Sequence, residues 1–179
     1  QWMAKFFVHL ATDRGASVYT QRNYRQALSE FQGWHVEERQ QQPQWEKLER
    51  DDFRSYLRFL GRQKLGRAAI ALRFSALRTF YKYLIRHGAA ATSPMKNLSL
   101  PRPGKRLPKF LELEQIEKLF NNCDITTLLG SRDRSILETL YSTGIRVSEL
   151  VALEVGDVDF GQNILKVRGK GKKERVIPI

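Results

Sequence analysis

Apolar positions in the first hundred residues recur at helical spacing. At about 100° per residue, Phe53, Tyr56, Leu57 and Leu60 gather on one side of a helix, while Arg54, Arg58 and Arg62 run along the opposite side at every fourth position. The next periodic stretch, about 67 to 87 and closed by Gly88, sets Ile70, Phe74, Leu77, Tyr81 and Leu84 inside. Its outer side carries Arg78, Lys82 and Arg86, with Ser75 and Thr79 beside them. Upstream, residues 2 to 10 read as a short helix, and Ser17 reads as the N-cap of a longer one with Thr20, Tyr24, Leu28 and Phe31 on one face. Four such segments predict a helical bundle. The polar run 37 to 45, which contains Pro43, reads as a connecting loop.

The stretch "LPRPGKRLPKF", 100 to 110, holds three prolines, a glycine and four basic residues, which excludes both a helix and a central strand and predicts a linker. Beyond it, "ELEQIEKLFNNC" predicts a short amphipathic helix. "SRDRSILETLYSTG" predicts a second, opened by Ser131 or Asp133 and stopped at Gly144, and residues 145 to 153 a third. The period then changes. Ile164, Leu165 and Val167 form one strand, "GKGK" a turn, and Val176, Ile177 and Ile179 a returning strand, giving a hairpin with Lys170, Lys172, Lys173 and Arg175 clustered at its tip. The expected fold is mainly α with a small β part.

Charge narrows the range of partners. The 31 Lys and Arg against 19 Asp and Glu leave a net charge of +12, which favours a polyanion. That surplus is concentrated: residues 1 to 52 hold seven basic and eight acidic side chains, whereas 53 to 109 hold fourteen Lys or Arg, Arg73 among them, and no carboxylate. Solvated faces usually mix signs to limit self-repulsion, so this belt points to nucleic acid. Helical neighbours at i and i+4 lie roughly 6 Å apart, close to the phosphate spacing of a strand, so the stripes can follow a backbone without reading bases. Arg102, Lys105, Arg106 and Lys109 let the linker do the same.

Other classes fall away. The apolar stretch 68 to 85 is broken by Arg73, Arg78 and Lys82, which excludes a membrane span. One cysteine, Cys123, and the lack of a secretion-signal pattern predict a reducing, cytoplasmic setting. His9, His35 and His87 are scattered and expected at the surface or an interface, so no metal set is visible. "GKGK" lacks the spacing and the Ser or Thr of a nucleotide-binding loop.

Three segments, "SALRTFYKYLIRHG", "RDRSILETLYSTGIRVSELVAL" and "VRGKGKKERVIPI", together with the "RLPKFL" linker, resemble the tyrosine site-specific recombinases of the lambda-integrase type, Xer-like members above all. The resemblance implies a helical core-binding domain at 1–98, a basic Pro-rich linker at 99–110, and at 111–179 the start of an α+β catalytic domain ending at a β-hairpin. It implies a clamp around duplex DNA, tetramers of recombinase protomers on that DNA, and strand cleavage through a 3′-phosphotyrosyl link without metal or other cofactor. Arg146 then matches the first catalytic arginine, a rigid fork of donors for a phosphate whose charge grows in the transition state. Glu149 matches the acidic position that orients it. Lys170 matches the hairpin lysine that protonates the leaving 5′ oxygen, with Lys172 its nearest rival, and Lys173 and Arg175 are expected to hold the DNA backbone. Placing Arg146 at a helix start adds free N–H groups and the helix dipole.

The family's His-x-x-Arg pair, its later His or Trp and its nucleophilic tyrosine all follow the hairpin. None of Tyr19, Tyr24, Tyr56, Tyr81, Tyr83 and Tyr141 matches the nucleophile. The 179 residues therefore read as the N-terminal portion of a recombinase, expected to bind DNA without cleaving it and to expose apolar surface in its second half. The competing reading is a stand-alone, non-catalytic DNA-binding protein that occupies recombination sites.

Overall fold

The computed structural model describes residues 1–102, 104, 107, 109–169 and 174–179. The chain divides into two compact units, Gln1–Arg106 and Leu107–Ile179. Among the described residues there are seven α-helices, one 3₁₀ turn and a three-stranded antiparallel sheet, so the fold is mainly α with a small β part.

The first unit is built from α1 (Trp2–Thr12), α2 (Val18–Arg39), α3 (Arg50–Arg62) and α4 (Arg67–Arg86). Ser17 caps α2, its side chain accepting from the Thr20 amide, and Glu49 with Asp52 forms a reciprocal capping box on α3. Such caps are worth about 1 kcal/mol each. At the end of α4, Gly88 takes a positive φ of 70° and lets Ala89 donate back to Leu84 O at 2.9 Å. The predicted inner faces of α3 and α4 are buried except at Leu57, which is half-buried, and α4 buries more than the five predicted positions because Ala76, Phe80 and Tyr83 face inward as well. Phe31 lies at the centre: it stacks on Phe53 with centroids 5.1 Å apart and meets Tyr56 edge-on at 4.9 Å. Each such pair adds about 0.5–1.5 kcal/mol beyond its area.

Three expectations need correction here. α1 runs two residues further than predicted, to Thr12. The stretch 37 to 45 is not wholly a loop, because α2 continues to Arg39, and Trp45 is a core residue. Trp45 packs on Phe31 and Phe80, and its carbonyl accepts from the Tyr81 hydroxyl. His35 is buried rather than superficial, with Nδ1 3.0 Å from Gln41 O.

The second unit holds α5 (Leu113–Asn121), α6 (Leu128–Thr143), α7 (Val147–Val151), the 3₁₀ turn Val155–Asp157, and strands β1 (Val158–Asp159), β2 (Ile164–Arg168) and β3 (Glu174–Pro178). α6 begins before the predicted Ser131 or Asp133, because Thr127 accepts from the Gly130 amide and serves as the cap. Gly130 is required by close approach: a Cβ there would sit 2.0 Å from Asp124 O. The predicted third helix shrinks to five residues, and β1 adds a strand that the pattern did not announce. β2 and β3 pair in register from Ile164↔Pro178 to Arg168↔Glu174, and Ile179 lies just outside the strand. The buried core is small, comprising Ile145, Leu165 and Val167, and neither α5 nor α6 contributes a buried residue. Leu113, Leu119, Leu128, Leu129, Val147 and Val151 are exposed.

Among the described residues, no helix is long and apolar enough to cross a membrane.

Candidate nucleic-acid interface

Within the first unit, the α3 stripe is exposed at Arg54, Arg58 and Arg62. The chain after α4 returns alongside it: Arg50 Nη2 donates to Asn97 O at 2.7 Å and Arg78 Nη2 to Leu98 O at 3.1 Å. These bonds bring α3, Arg78 of α4 and residues 97–99 together around a groove of about 480 Å³, lined by Arg50, Arg54, Leu57, Arg58, Leu98 and Ser99. Arg50 was missed in the sequence, although it stands one helical turn before Arg54 on the same stripe. Neighbouring Asp51 and Asp52 made its surroundings look neutral.

Other candidates divide by what their charge already does. Lys82, Arg86, Arg102, Lys109 and Ser75 are exposed. Thr79 hydrogen-bonds its own helix at Ser75 O. Arg73 is engaged inside the bundle, its Nε 2.6 Å from Glu30 Oε2 and its Nη1 donating to Ala69 O, so it joins α4 to α2. Lys105, Arg106, Lys170, Lys172 and Lys173 lie outside the described residues.

In the second unit, Gly144 ends α6 with a φ of 62°, a conformation glycine adopts without Cβ strain. The turn sends Ile145 into the small core, and Arg146 emerges as the N-cap of α7 with its side chain 74% exposed. Glu149, only 5% exposed, receives four donors. The Arg146 amide and Arg175 Nη2 bond Oε2 at 2.9 and 2.8 Å, and Arg146 Nη1 and Arg175 Nη1 bond Oε1 at 3.0 Å each. The Arg175 guanidinium, followed by the Arg146 amide, pulls the Glu149 carboxyl down to about 2 from the ordinary 4.5. Glu149 reciprocally raises Arg175.

This geometry corrects the expected role of the helix start. α7 has five residues, and Glu149 itself occupies the Arg146 amide, so the anion at this helix end is the chain's own carboxylate. What faces outward is the Arg146 guanidinium, held through Nη1. Two cations around one carboxylate leave a local surplus of one positive charge. Arg175, expected only as a backbone contact, has both terminal nitrogens on Glu149.

A second buried carboxylate lies nearby along the chain. Asp157, 4% exposed, accepts from the Glu154 amide at 3.0 Å and from Arg168 Nη2 at 2.8 Å and Nη1 at 3.3 Å. Neither residue stood out in the sequence, because an Asp in a loop and an Arg in a strand carry no spacing signal. Among the described residues, no group of His, Cys, Asp and Glu could hold a metal ion.

Comparison with known proteins accounts for both units. The model of the phage integrase N-terminal SAM-like domain matches residues 3–88, and that of the phage integrase family matches residues 109–179. The chain belongs to the phage integrase family, the tyrosine recombinases. It is 40% identical over 180 residues to tyrosine recombinase XerC of Oceanobacillus iheyensis, with 97% of this chain and 56% of that protein covered. It is 37% identical over 179 residues to tyrosine recombinase XerD of Lacticaseibacillus casei, with 99% and 59% covered. The chain thus spans less than two thirds of the length of these curated relatives. Two solved structures share its fold. A lambda integrase dimer bound to a COC′ core site has 18% identity and a TM-score of 0.75, with 99% of this chain and 58% of that one covered. The Tn1549 transposon integrase in complex with transposon right end DNA has 16% identity and a TM-score of 0.75, with 100% and 60% covered.

Proposed function

We propose that this chain binds double-stranded DNA through its basic surfaces and carries the first part of the phosphate-reacting site of a site-specific recombinase. In this reading, residues 1–98 form the core-binding domain, 99–110 the linker, and 111–179 the start of the catalytic domain. The carrying observation is the exposed Arg146 guanidinium held by a buried, doubly gripped carboxylate. A guanidinium fixed in that way can meet the non-bridging oxygens of a scissile phosphate without reorganising as charge develops. Glu149 positions it. Lys170 donates the proton to the leaving oxygen. The DNA-backbone contacts come from Arg50, Arg54, Arg58, Arg62, Arg78, Lys82, Arg86 and the basic linker, while Arg73 serves the bundle instead.

The whole protein, in this proposal, cleaves and rejoins DNA through a phosphotyrosyl intermediate, working with other recombinase protomers on the same DNA. XerC and XerD relatives and DNA-bound integrases of the same fold support it. The 179 residues alone bind without cleaving. Tyr56 and Tyr81 are fully buried, burial pushes both phenols upward, and a phenol that resists ionisation is a poor nucleophile.

The test is a suicide duplex offered to the 179-residue chain and to a longer protein that continues past the hairpin. The chain alone should shift the duplex and form no covalent adduct. The longer protein should form one, and Arg146→Ala should slow it about 10²- to 10³-fold, as for loss of one transition-state donor. Full-rate adduct formation by Arg146→Ala would remove that residue from the chemistry. A longer protein that binds without any adduct would favour the stand-alone binder.

A further inference from the structure

We infer that Arg175 is a positioning residue for Arg146: it fills acceptor positions of Glu149 that would otherwise draw the Arg146 guanidinium inward, and so leaves the outer side of that guanidinium to a phosphate. This rests on the reading of Arg146 as a phosphate-binding group and gives that group a second partner, on β3.

An ionised carboxylate offers about four acceptor positions. On Glu149 four donors occupy them: the Arg146 amide and Arg175 Nη2 on Oε2, Arg146 Nη1 and Arg175 Nη1 on Oε1. The Arg146 side chain therefore makes a single bond to the carboxylate. Among the described residues, its Nε and Nη2 have no partner, and the side chain is 74% exposed. One bond fixes where the group sits, and the unused nitrogens keep the two-pronged edge that suits a phosphate.

Without Arg175 this balance is lost. The vacated positions lie on a residue only 5% exposed, so water reaches them poorly, and a buried acceptor without a donor is unfavourable. Unused donors stand at hand on Arg146, whose Nη1 is already 3.0 Å from Oε1. A turn that sets a second nitrogen on Oε2 gives the bidentate pair that arginine forms readily with a carboxylate. The nitrogens that would meet a phosphate are then taken by the chain's own anion. Arg168 cannot replace Arg175. Val167, not Arg168, pairs with Arg175, so by alternation Arg168 leaves the sheet on the opposite face, where it holds Asp157. The depressed Glu149 carboxyl owes more to Arg175 than to Arg146, in keeping with Arg175 as its principal partner.

Capture of Arg146 and general damage predict opposite signs. If Arg175→Gln merely loosened the unit, removing Glu149 as well would add to the loss. If it lets Glu149 capture Arg146, then Glu149→Gln removes the trap, since a neutral amide holds a guanidinium far less, while its oxygen can still accept from the Arg146 backbone. Arg175→Lys keeps the charge without the fork.

The experiment follows phenylglyoxal modification of Arg146 in the 179-residue chain by peptide mass spectrometry, with the exposed Arg62 of the first unit as internal reference. Arg175→Gln should slow modification of Arg146 about 5- to 30-fold, the population shift for one or two further hydrogen bonds. Arg175→Lys should fall between that variant and the parent, and it reads the same quantity if Arg175→Gln does not fold. Arg175→Gln combined with Glu149→Gln should return Arg146 to at least the parent rate. In a longer protein that continues past the hairpin, covalent adduct on a suicide duplex should form faster with the double variant than with Arg175→Gln alone. Modification of Arg146 at the parent rate or faster in both Arg175→Gln and Arg175→Lys overturns the inference, and so does a double variant as slow as the single one. If Arg146→Ala blocks the adduct while Arg175→Gln forms it at the parent rate, this inference fails alone. If Arg146→Ala forms the adduct at full rate, the reading of Arg146 fails and the inference with it.

Discussion

Arg175 closes on both oxygens of Glu149, Nη1 on Oε1 at 3.0 Å and Nη2 on Oε2 at 2.8 Å, although 26 positions separate the two residues in the chain. The same carboxylate also holds Arg146. A neutral amide in its place would leave two guanidiniums side by side with nothing between them to cancel their repulsion. Glu149→Gln should therefore loosen the returning strand, and hydrogen exchange at the paired amides of β2 and β3 should speed up roughly tenfold, while amides of α2 and α4 stay unchanged. Unaltered exchange in the hairpin would show that the grip does not hold it.

The acid limb of stability follows from the same group. A Glu149 carboxyl that titrates near 4.5 when unfolded and near 2 when folded binds its proton more readily in the unfolded chain. Its contribution is thus full above about pH 4.5 and disappears as pH falls toward 2. Carboxyl-carbon NMR on the 179-residue chain should show Glu149 still ionised at pH 3.5, with ordinary exposed glutamates largely protonated. In Glu149→Gln, the hairpin protection factors, which are exchange rates corrected for intrinsic acid and base catalysis, should lose the part of their pH dependence that Glu149 causes between 4.5 and 2. A Glu149 midpoint near 4.5 would contradict the four-donor geometry.

The groove arginines and Arg73 differ in what holds them: Arg54 pairs with the exposed Asp51 and Arg50 donates to a carbonyl, whereas Arg73 pairs with Glu30 inside the bundle. Changing Arg50, Arg54 and Arg58 together to Ala removes the cations around the groove beside residues 97–99. The magnitude of the salt slope for duplex binding should fall by about 2.7, at ~0.9 per contact. Arg73→Ala should leave the slope as it is and lower the melting temperature, because its partner is Glu30 of α2. A slope that falls with Arg73→Ala and not with the triple change would place the interface on another face.

How far the sequence disclosed this depends on the kind of signal. Helical faces were legible because burial repeats: every inner position assigned to α3 and α4 except Leu57 is fully buried, and Leu57 is half-buried. Arg146 and Glu149 were legible as a pair because three residues along a helical turn are neighbours by construction. Arg175 and Arg168 were not, since a strand arginine meets a carboxylate in another element only after the chain has folded. Trp45 and His35 were misplaced for the opposite reason. Their flanks are so polar that composition hid two side chains the aromatic core needed. α7 was overextended because its apolar residues suited a longer helix, whereas the 3₁₀ turn at Val155–Asp157 takes over to bury Asp157.

Two buried tyrosines of the bundle make a paired test of that core. The Tyr81 hydroxyl donates to Trp45 O at 2.8 Å, which ties α4 to the segment between α2 and α3. The Tyr56 hydroxyl is equally buried but has no hydrogen-bond partner among the described residues, and the Trp34 indole N–H beside it has none either. Removing a satisfied hydroxyl strands the Trp45 carbonyl and costs about 1 kcal/mol, whereas removing an unsatisfied one relieves a desolvated polar group at no loss. Tyr81→Phe should therefore lower the melting temperature of the first unit by about 4–8 °C, and Tyr56→Phe should leave it unchanged or raise it. The two rings differ little in burial, so packing cannot produce opposite signs. Thermal unfolding followed by tryptophan fluorescence reports the first unit directly, because Trp2, Trp34 and Trp45 all lie within it. Equal destabilisation by both changes would mean that the Tyr56 hydroxyl is satisfied after all, by the nearby Arg73 guanidinium or by a buried water.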